Sequence, residues 1–163
     1  MINDPILSVR KLTTQLKFGN HLWTVVDSLD FDLFAGKTLA LVGESGCGKS
    51  LTALSLMRIL PHPPALPSTG EVLYQGKNLL TIPEKEMRRI RGAKIAMIFQ
   101  DPIGSLNPVY TIENQMLEVA AMHLNLYGEE AIERARQALD EVGIVSPATR
   151  LKDYPHQLSG GMK

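Results

Sequence analysis

The chain has 163 residues, 44% hydrophobic and 21% charged, which suits one compact domain and is too apolar for a disordered segment. Lys plus Arg and Asp plus Glu both total 17. That balance argues against a protein held to nucleic acid by bulk charge, though it leaves room for a local basic patch. The single cysteine, Cys47, excludes an internal disulfide and suits a reducing cytosol. No basic stretch followed by an apolar core opens the chain, so no secretory signal is read, and no apolar run approaches the roughly 20 residues of a spanning helix.

In chain order, residues 6–12 read as a first strand. Leu29, Phe31 and Leu33 alternate with Asp30 and Asp32, the period-two pattern of a half-buried strand. After a turn at Ala35-Gly36-Lys37, residues 38–42 form a short apolar run, as expected of a strand buried on both faces of a parallel sheet. A glycine-rich loop follows directly. Residues 50–60 then have helical spacing, with Leu51, Leu54, Met57 and Ile59 available for burial and Pro61, Pro63, Pro64 and Pro67 as the stop. Residues 71–74 read as a strand, residues 83–91 as a short basic helix, and residues 94–99 as a second buried strand. Helices are predicted over 112–126 and 129–142, the second with Ile132, Ala135, Leu139 and Val142 on one stripe and Gly143 as its stop. The chain thus divides at about residue 100 into a β-rich part with the glycine loop and a helical part.

Gly43-Glu44-Ser45-Gly46-Cys47-Gly48-Lys49-Ser50 matches G-x-x-x-x-G-K-[ST] at every fixed position, between a predicted strand and a predicted helix. Glycines let successive backbone N–H groups converge on one anion, and the helix N-terminus adds partial positive charge. Lys49 can reach terminal phosphates, and the Ser50 hydroxyl can ligate Mg²⁺. Leu51, which follows, is counted with Gly43–Ser50 among the nucleotide-binding residues. Cys47 holds a variable position and reads as a small loop residue.

Two later segments narrow the class. Phe99-Gln100-Asp101-Pro102, about 50 residues after Lys49, resembles the Q-loop of ABC ATPases, and Leu158-Ser159-Gly160-Gly161-Met162 resembles their signature motif. With Ser105-Leu106-Asn107-Pro108 and Tyr154-Pro155-His156-Gln157, the pattern looks like the oligopeptide, dipeptide and nickel importer branch, and the resemblance covers nearly the whole chain. It implies an α/β P-loop NTPase fold with a RecA-like core, an N-terminal antiparallel β subdomain and a helical subdomain. It implies binding of ATP with Mg²⁺, and a dimer with a second ATPase subunit, homo- or heterodimeric. In that dimer Leu158, Ser159, Gly160 and Gly161 act in trans on the partner's nucleotide. Lys49 and Gln100 take catalytic roles, and Ser50 and Gln100 hold Mg²⁺. The family stacks an aromatic residue on adenine; Phe18 is the first choice and Trp23 the second, and either also fits a core or edge position. His156 reads as structural.

The implied activity is ATP hydrolysis driving import of a peptide or related small solute. The partners would be membrane permeases, at the cytoplasmic face of the inner membrane, with no nucleic acid. A soluble, non-transporting ABC ATPase and a nucleotide-binding module without turnover are the alternatives. The family pattern continues with an apolar strand ending in Asp-Glu and a later histidine. Nothing in these residues matches that strand, so the expectation is a chain truncated just after the signature, without the C-terminal part of the core, catalytically incomplete and marginally stable.

Overall fold

The computed structural model describes residues 4–99 and 103–162. They fall into two compact units, Met1–Ile95 and Ala96–Lys163.

The first unit is built on an antiparallel sheet. Strands β1 (Leu7–Phe18), β2 (His21–Leu33), β3 (Thr69–Tyr74) and β4 (Lys77–Asn78) stand in the order β2-β1-β3-β4. Helix α1 (Lys49–Leu56) and helix α2 (Glu84–Ile90) complete the unit. The buried alternation along β1 changes phase. Leu7 and Val9 point inward, and then so do Leu12 and Thr14. The cause is a bulge: Lys11 takes φ 48°, opposite a second left-handed residue, Ser28 at φ 45°. The register between β1 and β2 shifts there. Two cross-strand bonds pin the irregularity, Lys11 N–H donating to Asp30 Oδ1 at 3.2 Å and Ser28 N–H donating to Thr13 Oγ1 at 3.1 Å. A strand read by strict alternation therefore loses its pattern at residue 11, although the strand itself runs on to Phe18.

Leu7, Val9, Leu12, Val26, Val72, Leu79, Met87 and Ile90 form the core, against which Leu51 and Leu56 of α1 pack. A chain of hydroxyls ties α1 to the sheet. Thr14 Oγ1 shares hydrogen bonds with Ser55 Oγ and with Ser68 Oγ, each at 2.8 Å, and Ser55 donates on to Leu51 O at 2.6 Å. Thr14 and Ser55 are buried, so each depends on these bonds to offset lost hydration.

Three expectations are corrected. Residues 38–42 and 94–99 form no strand among the described residues, and Val42 and Ile98 are 89% and 95% exposed. An apolar run is a strand only where neighbouring strands take up its N–H and C=O groups; among the described residues these two runs join no ladder, and Ile95 makes only an isolated bridge to Arg91. Helix α1 stops at Leu56, short of residue 60. Arg58 adopts φ 51° while its guanidinium donates to Leu79 O and Ile82 O, at 3.1 and 2.7 Å, so the chain turns before the prolines are reached.

The second unit is helical: α3 (Ile112–Leu124), α4 (Gly128–Glu141) and α5 (Pro147–Arg150), with 3-10 turns at Ile103–Ser105, Pro155–Gln157 and Gly160–Met162. Thr111 caps α3, its side chain accepting from Asn114 N–H, and Asn125 ends it in the left-handed region. Ile112, Ala135 and Leu151 are buried together, with Met116, Ile132, Leu139 and Leu158 around them. Val142 does not share the stripe expected for it. It is the cap that follows α4, and it is 73% exposed because the helical phase ends one residue earlier.

Candidate functional site

The glycine loop leads into α1 as anion chemistry requires. Gly46 and Gly48 take φ 86° and 93°, conformations that L side chains rarely adopt. Gly48 is also the N-cap of α1. A Cβ on it would lie 2.4 Å from Val25 O, so the β2 backbone closes on the loop at the residue where the helix begins. The β1–β2 register shifts between Thr14 and Gln15, opposite Val26 and Thr24, which leaves Val25 as the extra residue of β2. This bulge brings the strand to the loop. Thr52 secures the first turn, its N–H and its hydroxyl both donating to Gly48 O, at 2.8 and 3.0 Å.

Lys49 folds back over the loop. Its Nζ donates to Gly43 O at 2.8 Å, to Glu44 O at 2.7 Å and to Cys47 Sγ at 3.3 Å. The ammonium therefore sits at the mouth of the glycine turn, held by carbonyls that a phosphate oxygen can replace as its acceptor. Ser50 is exposed on the first turn of α1, and Ser45 and Cys47 are exposed on the loop. Leu51 is partly buried against the core and anchors the helix.

Phe18 and Trp23 are 55% and 61% exposed. Cross-strand pairs Phe18↔His21 and Leu16↔Trp23 put both rings on one face of the hairpin. Leu12, Thr14, Leu16 and Phe18 alternate along that face, and Thr14 bonds Ser55 of α1 there. The two aromatics thus share the sheet face that carries the loop helix.

In the second unit, Ser159, Gly160 and Gly161 are exposed, and Leu158 packs on the local core. Met162 N–H donates to Ser159 O at 3.0 Å, closing the 3-10 turn Gly160–Met162. Local contacts shape the approach. Pro155 is buried, Tyr154 N–H donates to Gln157 Oε1 at 2.7 Å, and the Tyr154 and His156 rings stack 5.7 Å apart. His156 is exposed, with its ring on that of Tyr154. Gln100, with Asp101 and Pro102, lies outside the described residues.

Sequence reasoning missed three supporting groups. Val25 acts through its carbonyl, which no residue pattern announces. Thr14 and Ser55 stand where apolar residues would, and that mismatch was the available signal. Arg91 donates to Met57 O at 2.7 Å and to Arg58 O at 3.0 Å, capping the far end of α1, and pairs with Glu84 at 2.5 Å. That ion pair holds the Glu84 carboxyl below its ordinary range.

A hairpin, a glycine loop with a lysine folded over it and a helix opening at the loop define a P-loop nucleotide-binding fold. The sequence profile of the ABC transporter family matches residues 26–163, and the chain belongs to that family. It is 48% identical over 160 residues to the peptidoglycan transport ATP-binding protein YejF of Agrobacterium fabrum, covering 98% of this chain and 29% of that protein. It is 42% identical over 158 residues to the oligopeptide transport ATP-binding protein OppD of Bacillus subtilis, covering 97% and 44%. The dimeric, post-hydrolysis structure of the ATP-binding cassette MJ0796 bound to ADP and Pi superposes with a TM-score of 0.80 at 23% identity, over 96% of this chain and 64% of that one. The chain thus spans less than half the length of these two relatives, and the structural likeness shows the fold.

Proposed function

We propose that this chain binds MgATP through Gly43–Ser50 and serves, within a longer protein, as the ATP-binding part of a peptide importer. The observation that carries the reading is the Lys49 clasp over a loop that enters α1 through left-handed Gly46 and Gly48. When nucleotide enters, the loop N–H groups and the α1 N-terminus take the phosphates, and Lys49 exchanges its two carbonyl acceptors for phosphate oxygens. Mg²⁺, when bound, neutralises phosphate charge, with Ser50 and Gln100 as the residues that would hold it. The exposed hydroxyl of Ser50 on the first turn of α1 fits that role. Phe18 or Trp23 stacks on the base. Gln100 orients the attacking water, and Leu158 to Gly161 act on the nucleotide of a second subunit, homo- or heterodimeric.

Transport is favoured over the soluble alternative by the relatives, whose names describe peptidoglycan and oligopeptide transport. No described helix is long and apolar enough to cross a membrane. The same reading has the protein meet the membrane through permease partners, at its cytoplasmic face. The test is a calorimetric titration of the chain with MgATP beside Lys49→Ala, with phosphate release followed in the same sample. Binding lost in Lys49→Ala supports the site. No binding by a folded sample overturns it. Phosphate release that depends on Lys49 would move the catalytic base into these 163 residues.

A further inference from the structure

A groove of about 530 Å³ opens between the β3–β4 turn and α2, within the first unit and built from none of the glycine-loop residues. Tyr74, Lys77, Lys85, Glu86, Arg89 and Lys94 line it. Its charge is unusual for a chain with equal numbers of acids and bases. Glu86, the one acid in the lining, is already paired with Lys77. Lys85, Arg89 and Lys94 make no ion pair among the described residues. All the other arginines of the chain do: Arg10, Arg58, Arg88, Arg91, Arg134, Arg136 and Arg150 each face a carboxylate. Arg89 is thus the one arginine left with its fork of donors uncommitted, and it lies in a concave site beside two uncommitted lysines.

The placement comes from the backbone. Lys85 and Arg89 are four residues apart on α2 and share a face. The chain then folds back, with Lys94 N–H donating to Ile90 O at 2.9 Å, which returns a third cation to the same groove. All three side chains belong to exposed residues. With Glu86 engaged by Lys77, the charges of Lys85, Arg89 and Lys94 repel one another, and an anion relieves that repulsion. A planar guanidinium in one groove with two ammonium groups suits the several oxygens of a phosphate group better than a single carboxylate.

We propose that this groove is a second anion site, taking a phosphate group on Arg89, Lys85 and Lys94. The phosphate can belong to a lipid headgroup or to a free phosphoanion, and two measurements separate these sources. In the first, inorganic pyrophosphate is titrated into the full chain carrying Lys49→Ala, so that the glycine loop does not contribute. In the second, the same protein is floated with vesicles of phosphatidylglycerol and phosphatidylcholine, against phosphatidylcholine alone.

Arg89→Gln, Lys85→Gln and Lys94→Gln should each weaken whichever binding is seen by about fivefold. Lys152→Gln, an exposed and unpaired lysine of the second unit, should leave it unchanged. Arg89-dependent capture by the anionic vesicles assigns the site to a headgroup. Arg89-dependent pyrophosphate binding without capture assigns it to a free phosphoanion. The proposal falls if neither probe binds, or if Lys152→Gln weakens binding as much as Arg89→Gln does, since diffuse surface charge then accounts for it. MgATP binding by Arg89→Gln on the native loop checks that the variant is folded and that the two sites are separate.

Discussion

The carbonyl oxygen of Val25 stands 2.4 Å from the position a Cβ on Gly48 would take. Gly48→Ala must therefore move backbone on backbone, in a residue already at φ 93°. The left-handed conformation alone costs about 1–2 kcal/mol for an alanine. Gly46 has φ 86° but open space around it, so Gly46→Ala should cost only that amount. The expected outcome is a clearly larger loss of stability for Gly48→Ala in a denaturant titration, accompanied by loss of MgATP binding. Equal losses for the two variants would show that the β2 contact does not constrain the loop.

Thr14 connects the buried hydroxyl of Ser55 with the half-buried hydroxyl of Ser68. Thr14→Val keeps the shape and removes the connection, leaving Ser68 without this bond and Ser55 with only its bond to Leu51 O. Losing a net hydrogen bond of this kind costs about 0.5–1.5 kcal/mol, and Thr14→Ser should restore most of it. Urea titration of the two variants measures the difference. No loss in Thr14→Val would mean that water replaces the hydroxyl at no cost.

The parts of this structure that were legible in the sequence are those whose physics is local. Eight consecutive residues carry the glycine loop, and the anion chemistry that selects Gly48, Lys49 and Ser50 operates within them. The helical spacing of α4 likewise depends on neighbours three or four residues away. What failed depended on distant partners. Val42 and Ile98 are apolar enough to be buried in strands, yet a strand exists only where another strand lies beside it. The end of α1 is set by Arg58 reaching Leu79 O and Ile82 O, 21 and 24 residues away in sequence. The phase change at Lys11 was hidden for a similar reason, since it answers to Ser28 and Asp30 on the facing strand.

Arg91 holds both the end of α1 and Glu84, which makes its contribution pH-dependent. The Glu84 carboxyl is lowered from 4.5, chiefly by the hydrogen bond from Arg91. A carboxyl whose folded pKa is depressed binds fewer protons when folded. Its stabilising contribution is fully present above its unfolded value and is lost as pH falls through the folded one. Arg91→Met should therefore be less stable than the parent at neutral pH. It should also lose less stability than the parent on acidification below pH 4.5. Thermal unfolding of both proteins across that window gives the answer, and parallel pH profiles would separate Arg91 from Glu84.

Phe18 and Trp23 share one sheet face, so the base can stack on either, and the two are distinguished by substitution. Stacking a base on an aromatic ring contributes about 1–3 kcal/mol. Phe18→Ala should therefore weaken MgATP binding by roughly five- to 150-fold. The Lys49-dependent binding of inorganic triphosphate, which has no base, should stay unchanged. Trp23 is the sole tryptophan, and at 61% exposure it is open to solvent on that face. Its fluorescence should shift when MgATP binds and stay constant with triphosphate. A fluorescence shift with unaltered affinity in Phe18→Ala would move the stacking role to Trp23, and Trp23→Phe would then retain most of the affinity where Trp23→Ala loses it.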